Sequence, residues 1–179
     1  FSNYDASIAQ FKSPLVEAMK TLFMIIAGGN FGLYYAASRK GLRVFWQDTE
    51  FKAYVSIIVA ITTAIALNLY YNNYFDGTDS LRHSVFQVAS IISTTGFVSN
   101  DFDVWAPFSK LCLVLLMFVG GCAGSTAGGI KVSRVVLLAK MAIAHLERTI
   151  HPSMVVDISM NGKTIPTRVI AGIARFFFL

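Results

Sequence analysis

The chain has 179 residues, of which 55% are hydrophobic and only 14% charged, with a formal net charge of +5. Soluble domains average ~25% charged residues, so this balance supports a membrane setting, in which the basic excess is expected to mark cytoplasmic loops rather than a nucleic-acid surface. The two cysteines, Cys112 and Cys122, lie in apolar segments of one stretch, which speaks against a disulfide framework.

The first apolar span predicted is 15–38, which holds Leu22-Phe23-Met24-Ile25-Ile26-Ala27 and ends at Arg39-Lys40. The second, 53–71, is free of charge and close to the ~20 residues a spanning helix needs. A third apolar stretch, 80–92, is only ~20 Å long as a helix, the length of a re-entrant segment, and Asp79 or Ser80 is placed to cap its start. From Ala106 to Ile143 runs a longer region, which as one helix would be ~57 Å, roughly twice the ~30 Å hydrocarbon core. A break is expected at 120–131, and a last span begins near Val169. With no initiating Met and an ending inside Phe176-Phe177-Phe178-Leu179, the chain is expected to be a piece of a longer polypeptide.

Charge orients these segments. Arg39, Lys40, Arg43 and Lys52 fall in 39–52, and Lys131, Arg134, Lys140, Arg148, Lys163 and Arg168 in 131–168, whereas the loops 72–79 and 98–105 hold Asp76, Asp79, Asp101 and Asp103 and no Lys or Arg. The positive-inside rule puts the basic stretches in the cytoplasm, with Arg82 and Lys110 as outer exceptions. The helix 80–92 then enters from outside and returns there, a pore-loop hairpin. Its turn is Ser93-Thr94-Thr95-Gly96-Phe97. A short run of carbonyls and hydroxyls, with a glycine free to take positive φ, matches the requirement for replacing an ion's hydration shell. Taken alone, the turn reads more readily as an ordinary helix ending with Gly96 at the C′ position.

The break itself is Gly120-Gly121-Cys122-Ala123-Gly124-Ser125-Thr126-Ala127-Gly128-Gly129-Ile130-Lys131. Irregular backbone at membrane depth survives only when buried in protein or lining a wet cavity, which points to a transport path. The spacing of Gly120, Gly124 and Gly128 leaves open a continuous helix packed on a neighbour, although each glycine costs up to ~1 kcal/mol there relative to Ala. A phosphate-binding loop fails, because Ile130 stands where Lys is needed. Lys131 and Arg134 follow as interfacial anchors or as charges bearing on the loop. The outer carboxylates would raise local cation concentration or are simply solvated. His83, His145 and His151 lack metal-ligand spacing, no nucleophile–base constellation marks an enzyme, and Trp46 and Trp105 are expected at interfaces.

A partial repeat runs through the chain. Phe1-Ser2-Asn3-Tyr4-Asp5 opens like Phe97-Val98-Ser99-Asn100-Asp101, and Met24-Ile25-Ile26-Ala27-Gly28-Gly29 echoes Met117-Phe118-Val119-Gly120-Gly121. Tandem hairpins of this kind can surround one axis.

The filter turn followed by the glycine-rich stretch resembles the TrkH/KtrB superfamily of potassium transporters, its TrkH branch most closely. The opening residues, Val44-Phe45-Trp46-Gln47-Asp48-Thr49-Glu50-Phe51 and Glu147-Arg148-Thr149-Ile150-His151-Pro152 carry the same resemblance, which covers essentially the whole chain. It implies an all-α integral membrane fold of helix, pore helix and helix repeats around a central pore, in a multi-pass protein of the bacterial inner membrane, usually a homodimer. In that scheme 1–40 ends the second repeat, 41–52 is a cytoplasmic connection, 53–148 is the third repeat, 149–168 a second connection and 169–179 the start of the fourth repeat. The resemblance further implies potassium uptake without a cofactor, with K+ as transported ion at Thr94, Thr95 and Gly96 within the filter strand 93–97. It makes 120–131 an intramembrane gate, moved by a TrkA-like nucleotide-binding ring subunit in the cytoplasm. Serine at position 93 departs from the commoner threonine but keeps the hydroxyl. Two other classes stay open: a non-conducting membrane scaffold, and an ion-coupled carrier with a midplane site at the broken helix. Coupling would need an intramembrane carboxylate, and only Glu17, near one end of its span, qualifies.

Overall fold

The computed structural model describes residues 8, 11, 13–150, 158–166, 169, 172, 173 and 175. The opening motif 1–5, His151, and most of the segment expected to begin a fourth repeat lie outside them. In chain order the helices are α1 (Pro14–Ala27), α2 (Phe31–Lys40), α3 (Arg43–Gln47), α4 (Thr49–Tyr71), α5 (Gly77–Ile92), α6 (Pro107–Met117) and α7 (Val132–Ile150). One antiparallel hairpin follows, β1 (Ser159–Met160) with β2 (Lys163–Thr164).

The stretch 15–38 is two helices, not one span. Pro14 starts α1 at a position where its missing N–H costs nothing. Gly28 and Gly29 then weaken the helical state, and Asn30 captures a new start: its side chain accepts from the N–H groups of Gly32 at 2.8 Å and Leu33 at 3.3 Å. Two tyrosines take carbonyls at the end of α1, Tyr54 Oη donating to Ile25 O at 3.0 Å and Tyr34 Oη to Ile26 O at 2.7 Å. The echo between Met24–Gly29 and Met117–Gly121 therefore has a structural counterpart, because both segments lose the helix beside their paired glycines.

Among the described residues one helix, α4, is long and apolar enough to cross a membrane. Its 23 residues span ~35 Å. Asp48 caps it by accepting from Phe51 N–H at 2.7 Å, so α4 starts four residues before the apolar run expected from sequence. Tyr54, Ile58, Thr62, Ile65 and Leu69 form its buried stripe, at the spacing of one helical face. That stripe packs on Val88 and Ile92 of α5 and on Leu113 and Leu116 of α6, with Cys122 and Val132 completing the core. The opposite faces, with Val59, Leu67, Leu111, Val114 and Leu115, are exposed. Apolar exposure on this scale marks contact with lipid or with further protein.

Helix α5 is buried over most of its surface between α4, α1 and α6. It begins at Gly77, three residues before the expected start, and is ~24 Å long. Neither Asp79 nor Ser80 caps it. Asp76 holds the cap position without a side-chain bond, Ser80 Oγ donates back to Phe75 O at 3.1 Å, and Asp79 pairs with Arg82 at 3.3 Å. The cause is an earlier turn: Ser80 N–H already donates to Asp76 O at 2.8 Å. Trp105, expected at an interface, is 2% exposed within the core, because Trp105 N–H bonds Phe102 O and folds the loop before α6 inward. Trp46 on α3 is exposed.

Candidate functional site

The strand 93–97 begins where α5 ends. Ser93 keeps right-handed geometry, and the chain then turns over at Thr94, whose φ is +55°. Thr94 N–H donates to Ile91 O at 2.9 Å and Thr95 N–H to Ser90 O at 3.0 Å, the paired bonds of a Schellman ending. The C′ residue of that ending is Thr94, not Gly96. A β-branched residue with positive φ is an outlier, held here because both bonds close around it. Gly96 also has positive φ, +76°, and open space where a Cβ would stand. Glycine is needed there for backbone conformation and not for room.

The hydroxyls hold this shape. Ser93 Oγ donates to Ala89 O at 2.6 Å and lies 2.7 Å from Thr95 Oγ1. Ser90 Oγ donates to Phe97 O at 2.7 Å. Ser93 is buried, Thr94, Thr95 and Gly96 are exposed, and Phe97 is half-buried beneath the Lys20 ammonium, 5.2 Å from its ring centroid. Among the described residues no group donates to the carbonyls of Thr94, Thr95 or Gly96. Three consecutive exposed carbonyls are thus left free of protein donors at the C-terminal end of a buried helix.

The glycine-rich segment is a closed loop from Phe118 to Lys131 and not a helix, which removes the continuous-helix reading. Its two limbs meet in a parallel bridge between Val119 and Ile130. Gly120 N–H donates to Ile130 O at 2.8 Å and Val132 N–H to Gly121 O at 3.2 Å. A Cβ on Gly120 would collide with the carbonyl of Gly128, so the limbs approach this closely only without side chains. Lys131 folds back, its ammonium on Ala127 O. Cys122 is fully buried; Gly120, Gly121 and Ala127 are buried beside it, whereas Gly124, Thr126, Gly128 and Gly129 are exposed and Ala123, Ser125, Ile130 and Lys131 half-buried.

Three sets of contacts fix this loop. One reaches the α1–α2 break: Cys122 N–H donates to Gly28 O at 2.8 Å, Thr126 N–H to Ala27 O at 3.3 Å, and Phe31 N–H to Gly124 O at 3.3 Å. The loop of one broken helix is thus stitched to the break in the other. A second reaches the strand: Gly128 N–H donates to Thr94 Oγ1 at 2.8 Å. A third comes from Glu50, only 5% exposed, whose Oε1 accepts from Ala123 N–H at 2.6 Å and Ser133 N–H at 3.2 Å.

Arg82 and Lys110, the two exceptions to the charge pattern, find partners. Arg82 Nε lies 3.0 Å from Glu17 Oε2, joining α5 to α1, and Lys110 Nζ donates to Asp103 O at 2.9 Å. Asp101 accepts from Asp103 N–H at 2.9 Å and shapes its own loop. His83 is buried against the Phe75 ring, and no group of three or more metal-ligating side chains occurs among the described residues.

Two groups were not singled out from the sequence: Glu50, which touches the loop, and the turn at Asn161, which touches the helical turn that carries Glu50. Glu50 reads as one more charge in a basic connection, and nothing local announces its partners, loop amides more than 70 positions away. Asn161-Gly162 did carry a signal, since that pair between Ile158-Ser159-Met160 and Lys163-Thr164-Ile165 is the strongest short hairpin motif. Both residues have positive φ, 51° and 73°, and Asn161 reaches α4.

Two helices broken at glycines, stitched together beside a short enclosed helix, define an all-α membrane fold. The family model described as "TrkH: Cation transport protein" matches residues 1–179, and the chain belongs to the TrkH family. It is 35% identical over 179 residues to the Trk system potassium uptake protein TrkH of Salmonella typhimurium, with 99% of this chain and 37% of that protein covered. The protein of the same name from Escherichia coli K12 is likewise 35% identical over 179 residues, with the same shares covered. The crystal structure of the potassium transporter TrkH from Vibrio parahaemolyticus superposes with a TM-score of 0.93 at 34% identity, covering 99% of this chain and 39% of that one. The chain thus spans well under half the length of the relatives it matches.

Proposed function

We propose that the chain supplies part of a selective potassium pore, with 93–97 as one strand of its filter and 120–131 as the gate beneath it. The observation that carries this is the row of unpaired, exposed carbonyls at Thr94, Thr95 and Gly96. Two positive-φ residues shape that row, and an amide of the glycine loop touches it. Carbonyl oxygens replacing a hydration shell are the basis of potassium selectivity. The C-terminal end of α5, with the negative end of its dipole, lies at the same place.

In this reading 53–148 is one pore repeat, 1–40 the end of a preceding repeat, 41–52 and 149–168 cytoplasmic connections, and 169–179 the start of the next repeat. The protein spans the bacterial inner membrane several times, works as a homodimer, and takes its gating signal from a TrkA-like nucleotide-binding ring. The names of the relatives, Trk system potassium uptake proteins, support potassium as the ion. Among the described residues the two buried carboxylates of the spanning region are both engaged, Glu17 with Arg82 and Glu50 with loop amides, which supports passive conduction over a coupled carrier.

The test is Gly96→Ala in the full-length protein. A Cβ there meets open space, so the change acts through the backbone, which an L-residue holds at positive φ at a cost of ~1 kcal/mol or more. Potassium over sodium preference should fall while the protein still assembles. Unchanged uptake and preference would remove 93–97 from the filter.

A further inference from the structure

We propose that Glu50 positions the 120–131 loop, and that the hairpin turn at Asn161, clasped to the same turn of α4, sets where Glu50 stands. This deepens the reading of 120–131 as the gate and rests on it.

A carboxylate that is 5% exposed survives only if its oxygens are satisfied. The two amides that satisfy Glu50 belong to opposite limbs of the loop, Ala123 on the way in and Ser133 just after the way out. One oxygen therefore staples both limbs, with charge-assisted bonds that are stronger than neutral ones. Capping does not explain the residue, because Asp48 already caps α4 through Phe51 N–H.

The hairpin meets the same turn. Asn161 Nδ2 donates to Asp48 Oδ2 at 2.7 Å, and Asn161 Oδ1 accepts from Thr49 N–H at 2.8 Å. Lys140 on α7 holds the hairpin from the other side, Nζ donating to Ser159 O at 2.6 Å. Residues 48, 49 and 50 are consecutive in one helical turn, so whatever displaces the hairpin carries Glu50 with it. At 2.6 Å the bond to Ala123 N–H tolerates little displacement. The consequence is a mechanical path from the connection after α7 to the loop, with Glu50 as its last link.

The experiment uses the full-length protein in proteoliposomes without any cytoplasmic partner, comparing the parent with Glu50→Ala, Glu50→Gln, Asn161→Ala and a deletion of 123–129. Basal rubidium leak and rubidium over sodium preference are read together with the rate at which N-ethylmaleimide labels Cys122, in a background where it is the only cysteine. Cys122 is fully buried in the intact loop. Glu50→Ala should raise leak about tenfold and speed labelling with ion preference unchanged. Asn161→Ala should move both in the same direction, and Glu50→Gln, which keeps an acceptor oxygen, should recover part of the parent behaviour. A misfolded protein would lose preference or flux instead.

If the deletion raises leak while Glu50→Ala behaves as the parent in leak and labelling, the proposal is overturned and the gate reading stands. If Glu50→Ala acts and Asn161→Ala does not, the hairpin half is overturned. If the deletion leaves leak unchanged, the gate reading itself fails and the proposal falls with it. Should Glu50→Ala not assemble, Glu50→Gln and Asn161→Ala decide the question by the same readouts.

Discussion

The amide of Gly128 donates to the hydroxyl of Thr94 across 2.8 Å, joining the glycine loop to the strand after α5 by a direct hydrogen bond. Thr94 is also the residue forced into left-handed geometry at the helix end. The candidate filter and the candidate gate are therefore joined by one bond, at the residue whose backbone is most constrained.

Thr94→Val keeps the shape and β-branching but removes the acceptor. The Gly128 amide then loses its partner, and because both residues are exposed the cost is that of one ordinary hydrogen bond, about 0.5–1.5 kcal/mol. The loop should loosen, and basal rubidium leak through the full-length protein should rise several-fold. Thr94→Ser should behave as the parent. Equal flux in Thr94→Val and the parent would show that this bond does not hold the loop.

Gly120→Ala places a methyl group against the carbonyl of Gly128. The two limbs must separate, which breaks the bond from Gly120 N–H to Ile130 O. Overpacking of this kind costs ~1–3 kcal/mol, and a drop of several degrees in melting temperature in detergent should follow. Gly124→Ala faces no comparable backbone contact, so its clash is smaller and its loss arises from the positive φ. A melting temperature for Gly120→Ala equal to that of the parent would contradict the close approach.

Breaking the Glu17–Arg82 pair leaves a nearly buried carboxylate without its partner. The loss for fully buried pairs is ~3–5 kcal/mol. Because the Arg82 side chain is 37% exposed, about 2 kcal/mol is expected for Arg82→Ala. Asp79→Ala, which removes only the more exposed contact, should cost less than ~1 kcal/mol. Thermal denaturation of both variants and of the Glu17→Gln/Arg82→Ala double variant checks this, with the double variant expected to be less destabilised than the sum of its parts. Additive losses would show that the two side chains are not coupled.

Tyr54→Phe removes the hydroxyl that donates to Ile25 O at the end of α1. The ring stays in the core, so only the hydrogen bond is lost, about 1 kcal/mol. Because that bond secures the α1–α2 break on which Cys122 rests, faster maleimide labelling of Cys122 should accompany the drop in stability. Lower stability with unchanged labelling would separate the break from the loop.

Much of this was legible in the residues. Excess length between Ala106 and Ile143 required an interruption, and small side chains said where. The short stretch at 80–92 announced a helix too short to cross. The break at Gly28-Gly29 was hidden, because two glycines in an apolar run do not by themselves end a helix. It took Asn30 as a cap and tyrosine hydroxyls from Tyr34 and Tyr54 to stabilise the interruption, and Tyr54 comes from a different helix. Trp105 was misplaced because aromatic character suits an interface and a core equally. Burial of Glu50 was invisible for a related reason: its partners are backbone amides, which every residue carries, so composition holds no trace of them. The Schellman ending at Thr94 went unread because glycine two residues later fits the same rule.

The most direct measurement is rubidium uptake into proteoliposomes containing the full-length protein, with excess unlabelled potassium or sodium as competitor, in the presence of the cytoplasmic ring and its nucleotide. The account predicts uptake that potassium blocks and sodium does not, and a loss of that preference on Gly96→Ala. No uptake under these conditions, or uptake that both ions block equally, would contradict a selective pore built on 93–97.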